Sequence, residues 1–101
     1  MNDLSHIWKK GQSLLGSKYA VLGGAMSWVS EHNLVAAISN AGGFGVIACG
    51  SMGPELLDKE IKATQKLTSM PFGVNLITMH PELDQLIETC KNNNVSHVVL
   101  A

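Results

Sequence analysis

Small residues and one carboxamide are the groups in this sequence best suited to binding chemistry. Residues 23–26 read Gly-Gly-Ala-Met and directly follow a short apolar run. Glycine lets a flat ligand approach the main chain, exposed amides can hydrogen-bond ring oxygens and nitrogens, and Met26 offers a soft apolar surface. Asn75 is the one polar side chain inside the apolar run 72–76, and a carboxamide both donates and accepts hydrogen bonds. These groups predict a site for a planar ligand; the alternatives are a plain flexible turn at 23–26 and a loop cap at Asn75.

The remaining reactive residue types form no recognisable catalytic or metal-binding set. None of the four histidines has metal-ligand spacing, and no Ser-His-Asp or paired-carboxylate arrangement can be assembled. Cys49 is predicted to be a small core residue, because no basic partner lies near it in the sequence. We therefore predict no catalytic residue and no metal ligand within this chain.

Four apolar runs must carry the candidate binding residues. They cover residues 19–22, 45–49, 72–76 and 96–100, and the last three are apolar on both faces. Strands buried on both sides of a parallel sheet have this composition. The runs recur about every 25 residues, which indicates a repeated βα unit.

The segments between the runs are predicted to be helices. One spans residues 31–41, with Ser30 as its N-cap and the glycines at 42–43 as its end. A second helix starts at Pro54 and a third at Pro81, because proline suits the first helical position. The predicted order is therefore a short N-terminal helix followed by strand, helix, strand, helix, strand, helix and strand.

This predicted order of elements assigns each glycine cluster to one of the two ends of the sheet. Ligands of parallel α/β folds meet the carboxyl ends of the strands. Residues 23–26, Asn75 and the small-residue loop 50–53 then lie on the reactive face. The cluster 42–45 precedes a strand instead, so it is predicted to be a helix end and a tight turn on the opposite, structural face.

Two architectures fit the repeated unit: a small open doubly wound sheet, or the first four strands of a (β/α)8 barrel. The sequence stops directly after an apolar run, so we expect the N-terminal half of a parallel (β/α)8 TIM barrel, four strands with outer helices. Residues 1–16 are expected to form an N-terminal helical extension, and residues 17–101 a partial barrel truncated after strand four. Unpaired edges at strands one and four predict that the chain forms a homo-oligomer through those edges, aggregates or stays partly molten unless the missing half is supplied.

Composition excludes several classes of partner. The net charge is -1, with 46% hydrophobic and 15% charged residues, so we expect a globular domain that binds neither nucleic acid nor acidic membranes. No apolar run is long enough to cross a bilayer, and the N-terminus does not resemble a signal peptide. Cys49 and Cys90 stand in no CxxC or metal spacing, which favours reduced thiols in a cytoplasmic protein.

Three sequence stretches also match the pattern of a known family. They are GGAMSWVS at 23–30, LVAAISNAGGFGVI at 34–47 and PFGVNL at 71–76. Together they resemble the nitronate monooxygenase family, formerly called 2-nitropropane dioxygenase, which includes FMN-dependent enoyl-acyl-carrier-protein reductases. The resemblance covers residues 17–101 without a gap.

The resemblance implies an FMN-binding (β/α)8 barrel oxidoreductase of about three times this length. It implies that Gly24, Ala25 and Met26 line the flavin ring through backbone contacts and that Asn75 hydrogen-bonds the flavin. Trp28 looks like the reductase-type subgroup, whereas many nitronate-oxidising members carry glycine there. Gly23 departs from the glutamine common at its position, so a polar flavin contact is expected to be missing.

Two activities follow from the resemblance, both on small-molecule substrates. In a nitronate monooxygenase, an alkyl nitronate delivers electrons to FMN, which then reacts with O2. In the reductase alternative, NAD(P)H reduces FMN, which then reduces an enoyl thioester. The family's phosphate site and catalytic histidine belong to later strands, so these 101 residues alone are expected to be inactive. A non-catalytic truncated α/β module is the remaining alternative.

Overall fold

Helices and strands alternate along the chain in the computed structural model, which describes residues 3–101. In chain order they are α1 (Ser5–Leu15), β1 (Leu22–Gly23), α2 (His32–Asn40), β2 (Phe44–Ala48), α3 (Pro54–Leu67), β3 (Phe72–Leu76), α4 (Leu83–Asn92) and β4 (His97–Leu100). The predicted order of elements is confirmed. None of the helices between residues 3 and 101 combines the length and apolarity that a membrane crossing requires.

The four strands form one parallel sheet in the order β1-β2-β3-β4. Its register pairs Gly23 with Gly45 and Ala48 with Asn75. A doubly wound sheet reverses its strand order at a switch point, whereas a (β/α) barrel adds each new strand beside the last. The sequential order therefore agrees with the N-terminal half of a barrel.

A continuous apolar core lies between the sheet and the helices. Its buried members are Val35, Ile47, Cys49, Met52, Leu57, Ile61, Phe72, Val74, Leu76, Leu86 and Cys90. β2 is buried along its whole length, as predicted, because it has a strand on each side and helices over one face. Each large aliphatic side chain buried in this way contributes about 1.5–3 kcal/mol of hydrophobic stabilisation.

The corner between α2 and β2 is structural, as its position before a strand predicts. Gly42 has a φ of 101°, a left-handed conformation in which a side chain would be strained. The hydroxyl of the buried Ser39 donates to the Pro71 carbonyl at 2.9 Å and accepts from the Gly45 amide at 3.1 Å. This one side chain thus ties α2 to both β2 and the start of β3.

The edge strands differ from the prediction. β1 is only two residues long, and β4, predicted to be buried on both faces, has Val98 41% and Leu100 60% exposed. An apolar strand is buried only when neighbours cover it, and each of these strands has a neighbour on one side only. The composition of β4 therefore indicates a buried environment that residues 3–101 do not supply.

The helix ends correct two predictions: α4 begins at Leu83 rather than at Pro81, and α2 has a different N-cap. Ser30 does not cap α2; the Glu31 carboxylate does, accepting the Asn33 amide at 3.0 Å and the Leu34 amide at 3.1 Å. The short N-terminal helix is present as α1; it ends at Leu15, and its C-cap Gly16 has a left-handed φ of 68°. No residue of α1 is buried.

Candidate functional site

The predicted binding residues lie at one end of the sheet. β1 ends at Gly23, which Gly24 follows, and Asn75 is the second-last residue of β3. All four strands are parallel, so their carboxyl ends share one edge. Gly24 and Asn75 therefore open toward the same end of the sheet.

Asn75 points away from the helices. Its neighbours Val74 and Leu76 belong to the helix-covered core, and successive side chains of a strand alternate between faces. The half-buried carboxamide shares the opposite, inner face with its partners Ala48 and Val99. Among residues 3–101 it has no hydrogen-bond partner and is open to solvent instead, so it does not cap the following loop.

Gly23 and Gly24 differ in the space that is available for a side chain. Apart from its chain neighbours, no residue between 3 and 101 has a heavy atom within 4 Å of a Cβ placed at Gly24, so the main chain is exposed there. A Cβ at Gly23 would lie 2.6 Å from Cδ1 of Ile38 on α2. Gly23 therefore permits close helix packing, and Gly24 is the glycine that faces open space.

Ser30 closes the loop after β1 into a tight turn. Its hydroxyl accepts the Met26 amide at 2.8 Å and donates to the Gly24 carbonyl at 3.4 Å. The Met26 carbonyl accepts the amides of Val29 and Ser30. The main-chain polar atoms of Met26 are thus already paired, whereas the amides of Gly24 and Ala25 have no partner among residues 3–101.

Trp28 occupies the tip of this turn in a backbone conformation that bulky residues rarely adopt. Its φ is 64° and its side chain is 72% exposed. A non-glycine residue in the left-handed region costs about 1–2 kcal/mol, and strain of this kind concentrates at functional sites. The sequence drew attention to Trp28 only through a subgroup likeness, because strain cannot be read from residue type.

The loop after β2 reaches the same end of the sheet, but Met52 turns inward and is only 6% exposed. Cys49 is buried in the core, as predicted, and burial raises the pKa of its thiol to about 11, with the nearby Cys90 adding to the shift. Burial also raises the pKa of Cys90 to about 11. Both thiols are protonated at neutral pH and therefore poor nucleophiles.

Sequence reasoning missed one polar cluster, Glu31, His32 and Glu60. Oε2 of Glu60 accepts the His32 main-chain amide at 3.0 Å and lies 2.8 Å from His32 Nδ1. Oε2 of Glu31 lies 3.1 Å from the same Nδ1. These bonds clamp the start of α2 to α3. His32 and Glu60 are 28 residues apart, and no sequence periodicity links them.

The clamp makes the stability of the fold depend on pH. The hydrogen bond to Glu60 raises the pKa of His32 above its ordinary 6.5; burial opposes this, and the charges of Glu60 and Glu31 add to it. The pKa of His32 is higher in the folded state than in the unfolded state. The stabilisation that the protonated His32 supplies is therefore complete below about pH 6.5 and is lost as the pH rises through the folded-state pKa.

We expect Glu60→Gln to lower the free energy of unfolding at pH 6 and to have a smaller effect at pH 9. Urea unfolding at both pH values, with exposed Glu88→Gln on α4 as the control, measures the difference. An equal loss at both pH values would contradict the role of protonated His32.

Comparison with known proteins identifies the family of this chain. The nitronate monooxygenase family matches residues 10–99. A probable nitronate monooxygenase of Staphylococcus saprophyticus is 39% identical over 70 residues, which are 69% of this chain and 20% of that protein. A (3aS,4S,5R,7aS)-5-hydroxy-7a-methyl-1-oxo-octahydro-1H-indene-4-carboxyl-CoA dehydrogenase of Rhodococcus jostii is 41% identical over 63 residues, which are 62% of this chain and 18% of that protein.

Solved structures agree with the fold. FabK from Thermotoga maritima superimposes with a TM-score of 0.87 and 37% identity over 90% of this chain and 29% of its own. A nitroalkane oxidase from Streptomyces ansochromogenes has the same fold, with a TM-score of 0.76 and 24% identity over 88% of this chain and 35% of its own. This chain thus spans about a fifth of the curated relatives and under a third of FabK. The family match covers most of its residues, and the chain belongs to the nitronate monooxygenase family.

Proposed function

We propose that this chain supplies one wall of the FMN site in a flavin-dependent oxidoreductase that oxidises alkyl nitronates with O2. One observation carries the proposal: the exposed main chain at Gly24 and the Asn75 carboxamide, which has no partner among residues 3–101, lie at the same end of the sheet. The chain spans only part of its relatives, so catalysis is proposed for a longer protein and inactivity for these 101 residues alone.

The donor set suits a flavin ring. The open amides of Gly24 and Ala25 can donate to ring oxygens and nitrogens, and the Asn75 carboxamide can both donate and accept. Met26 is 52% exposed and can offer its thioether side chain to the ring, since its main-chain atoms belong to the turn. When bound, FMN supplies the electron transfer, and these residues hold and orient it.

Reduction of an enoyl thioester by NAD(P)H is the second candidate. Trp28 and the 37% identity to FabK support it. The two candidates differ in the electron donor, so anaerobic bleaching of the flavin by a nitronate or by NAD(P)H separates them. A bound flavin that neither donor reduces would contradict both.

The cofactor proposal is tested on a polypeptide that continues past Ala101 through the remaining strands. We expect the purified protein to be yellow, with the two visible absorbance bands of oxidised flavin, and to release FMN on denaturation. Failure to bind FMN after reconstitution would overturn the proposal. A stop codon directly after Ala101 would favour the non-catalytic module instead.

The same protein is proposed to act in the cytoplasm on small molecules. The two cysteines are free and buried in the same core, which is typical of a reducing compartment. Recovery of the protein outside the cytoplasmic fraction after cell fractionation would contradict this location.

A further inference from the structure

Ser30 is a buried polar residue that does not cap the helix it precedes. It is 3% exposed, and the N-cap of α2 is Glu31. A hydroxyl that is removed from water needs hydrogen-bond partners, and those of Ser30 lie in the loop after β1. It accepts the Met26 amide at 2.8 Å and donates, over a longer 3.4 Å, to the Gly24 carbonyl. The hydroxyl therefore bridges the two residues on either side of Ala25.

This bridge fixes the direction of both main-chain polar groups of Ala25. The peptide bonds of the loop are trans, so the carbonyl and the N–H of each peptide unit point to opposite sides. The Gly24 carbonyl points to Ser30, and the Ala25 N–H in the same peptide unit therefore points away from it. The Met26 amide also points to Ser30, so the Ala25 carbonyl points away as well. Neither group of Ala25 has a hydrogen-bond partner among residues 3–101.

The main chain of Ser30 anchors the same loop to the sheet. Its carbonyl accepts the Ala48 amide at 3.1 Å, and its amide donates to the Met26 carbonyl at 2.8 Å. Ala48 is the last residue of β2 and pairs with Asn75 on β3. Ser30 thus holds the loop against the strand end that lies beside the Asn75 carboxamide, so the two parts of the candidate site keep a fixed relative position.

We propose that Ser30 is a positioning residue for the flavin, because its hydroxyl turns the N–H and the carbonyl of Ala25 together toward the bound ring. This inference rests on the proposed FMN site. The polar edge of a flavin ring alternates carbonyl oxygens with an N–H group, so an adjacent donor and acceptor on one residue suit it. Without the hydroxyl, the peptide units beside Ala25 are free to rotate, and binding must then restore their orientation. A preorganised site avoids that cost.

The backbone of Trp28 makes this restraint necessary. Its φ of 64° is left-handed, which is unfavourable for a residue with a side chain. The turn that contains it is closed by the Ser30 hydroxyl and by the amides of Val29 and Ser30, which donate to the Met26 carbonyl. Loss of the hydroxyl therefore favours relaxation of the turn, and the polar groups of Ala25 then lose their direction.

Ser30→Ala tests the proposal in the barrel-length protein, the polypeptide that continues past Ala101. We expect the dissociation constant for FMN to rise about 10-fold, because the loop is no longer preorganised. The visible absorbance bands of the bound flavin should also shift, since its polar contacts change. Ser30→Thr keeps the hydroxyl and should restore both the affinity and the bands. Fluorescence quenching measures the affinity, and circular dichroism checks the fold.

Ser39→Ala is the matched control. Ser39 is also a buried serine whose hydroxyl bridges a carbonyl and an amide, but it lies at the opposite end of the sheet. The change should lower the thermal midpoint and leave the affinity for FMN and the absorbance bands unchanged. Equal effects of the two alanine variants on the flavin would show that Ser30 acts only through the stability of the fold, and would overturn the proposal.

The outcomes separate this inference from the proposed function. A wild-type protein that binds no FMN overturns both. A wild-type protein that binds FMN, with a Ser30→Ala variant of unchanged affinity and absorbance, overturns only the role of Ser30. If Ser30→Ala unfolds, Ser30→Cys gives the comparison, because a thiol is a weaker donor and acceptor. The cysteine variant should bind FMN more weakly than the wild type, and equal binding would contradict the proposal.

Discussion

Asn75→Leu is expected to weaken FMN binding by the barrel-length protein about 10- to 100-fold. The change removes a donor and an acceptor, and each neutral hydrogen bond contributes about 0.5–1.5 kcal/mol. Leucine is close in size and lies beside Ala48 and Val99 on the inner face, so the fold should persist. Fluorescence quenching of FMN measures the affinity, and the thermal midpoint measures the fold.

A matched control separates this effect from a general loss of polar surface. Asn92→Leu alters an exposed asparagine at the last residue of α4, which precedes the amino end of β4. This position is away from the carboxyl ends of the strands, so the change should leave the affinity for FMN unchanged. If Asn75→Leu retains the wild-type dissociation constant within twofold, Asn75 does not hold the flavin. Asn75→Ala gives the same comparison with a smaller side chain.

Gly45→Ala is expected to cost about 3 kcal/mol or more of folding free energy. A Cβ at this position would lie 2.9 Å from Cα of Val35 and closer still to the Val35 carbonyl oxygen. Both atoms belong to the backbone of α2, which cannot move without lifting the helix from β2. Inserting atoms into a packed core costs typically about 1–3 kcal/mol even where side chains can yield. Whole domains are stable by only about 5–15 kcal/mol, so this loss is a large fraction of the total stability.

Urea unfolding followed by circular dichroism measures this loss. Gly24→Ala is the matched control, because its Cβ would meet nothing within 4 Å, and it should change stability by no more than about 0.5 kcal/mol. Equal midpoints for the two variants would show that α2 does not need the glycine contact.

The central elements could be predicted because their signals are local. Pro54 starts α3, Gly42 ends the α2 corner in a left-handed turn, and β2 is apolar on both faces. Each feature depends on backbone sterics or on burial between adjacent elements. The edge strand β4 was predicted wrongly as a buried strand, because its apolar residues indicate a neighbour that residues 3–101 do not contain.

The candidate site was predictable only in outline. The order of strands and helices placed Gly24 and Asn75 at one end of the sheet, because carboxyl ends of parallel strands share an edge. Residue types could not show that Gly23 packs on Ile38, or that Ser30 binds the Met26 amide rather than capping α2. Those facts depend on which way a strand or turn faces.

The sequence by itself determined the α/β class, the family pattern and the end of the sheet where binding residues gather. These properties follow from periodicity, glycine and proline positions, and strand polarity, all of which are properties of short segments. Only the tertiary structure decided which amides remain open, which glycine faces space, and that Glu60 clamps His32 across 28 residues. Such contacts join distant segments, and their partners are selected by packing geometry rather than by local preference.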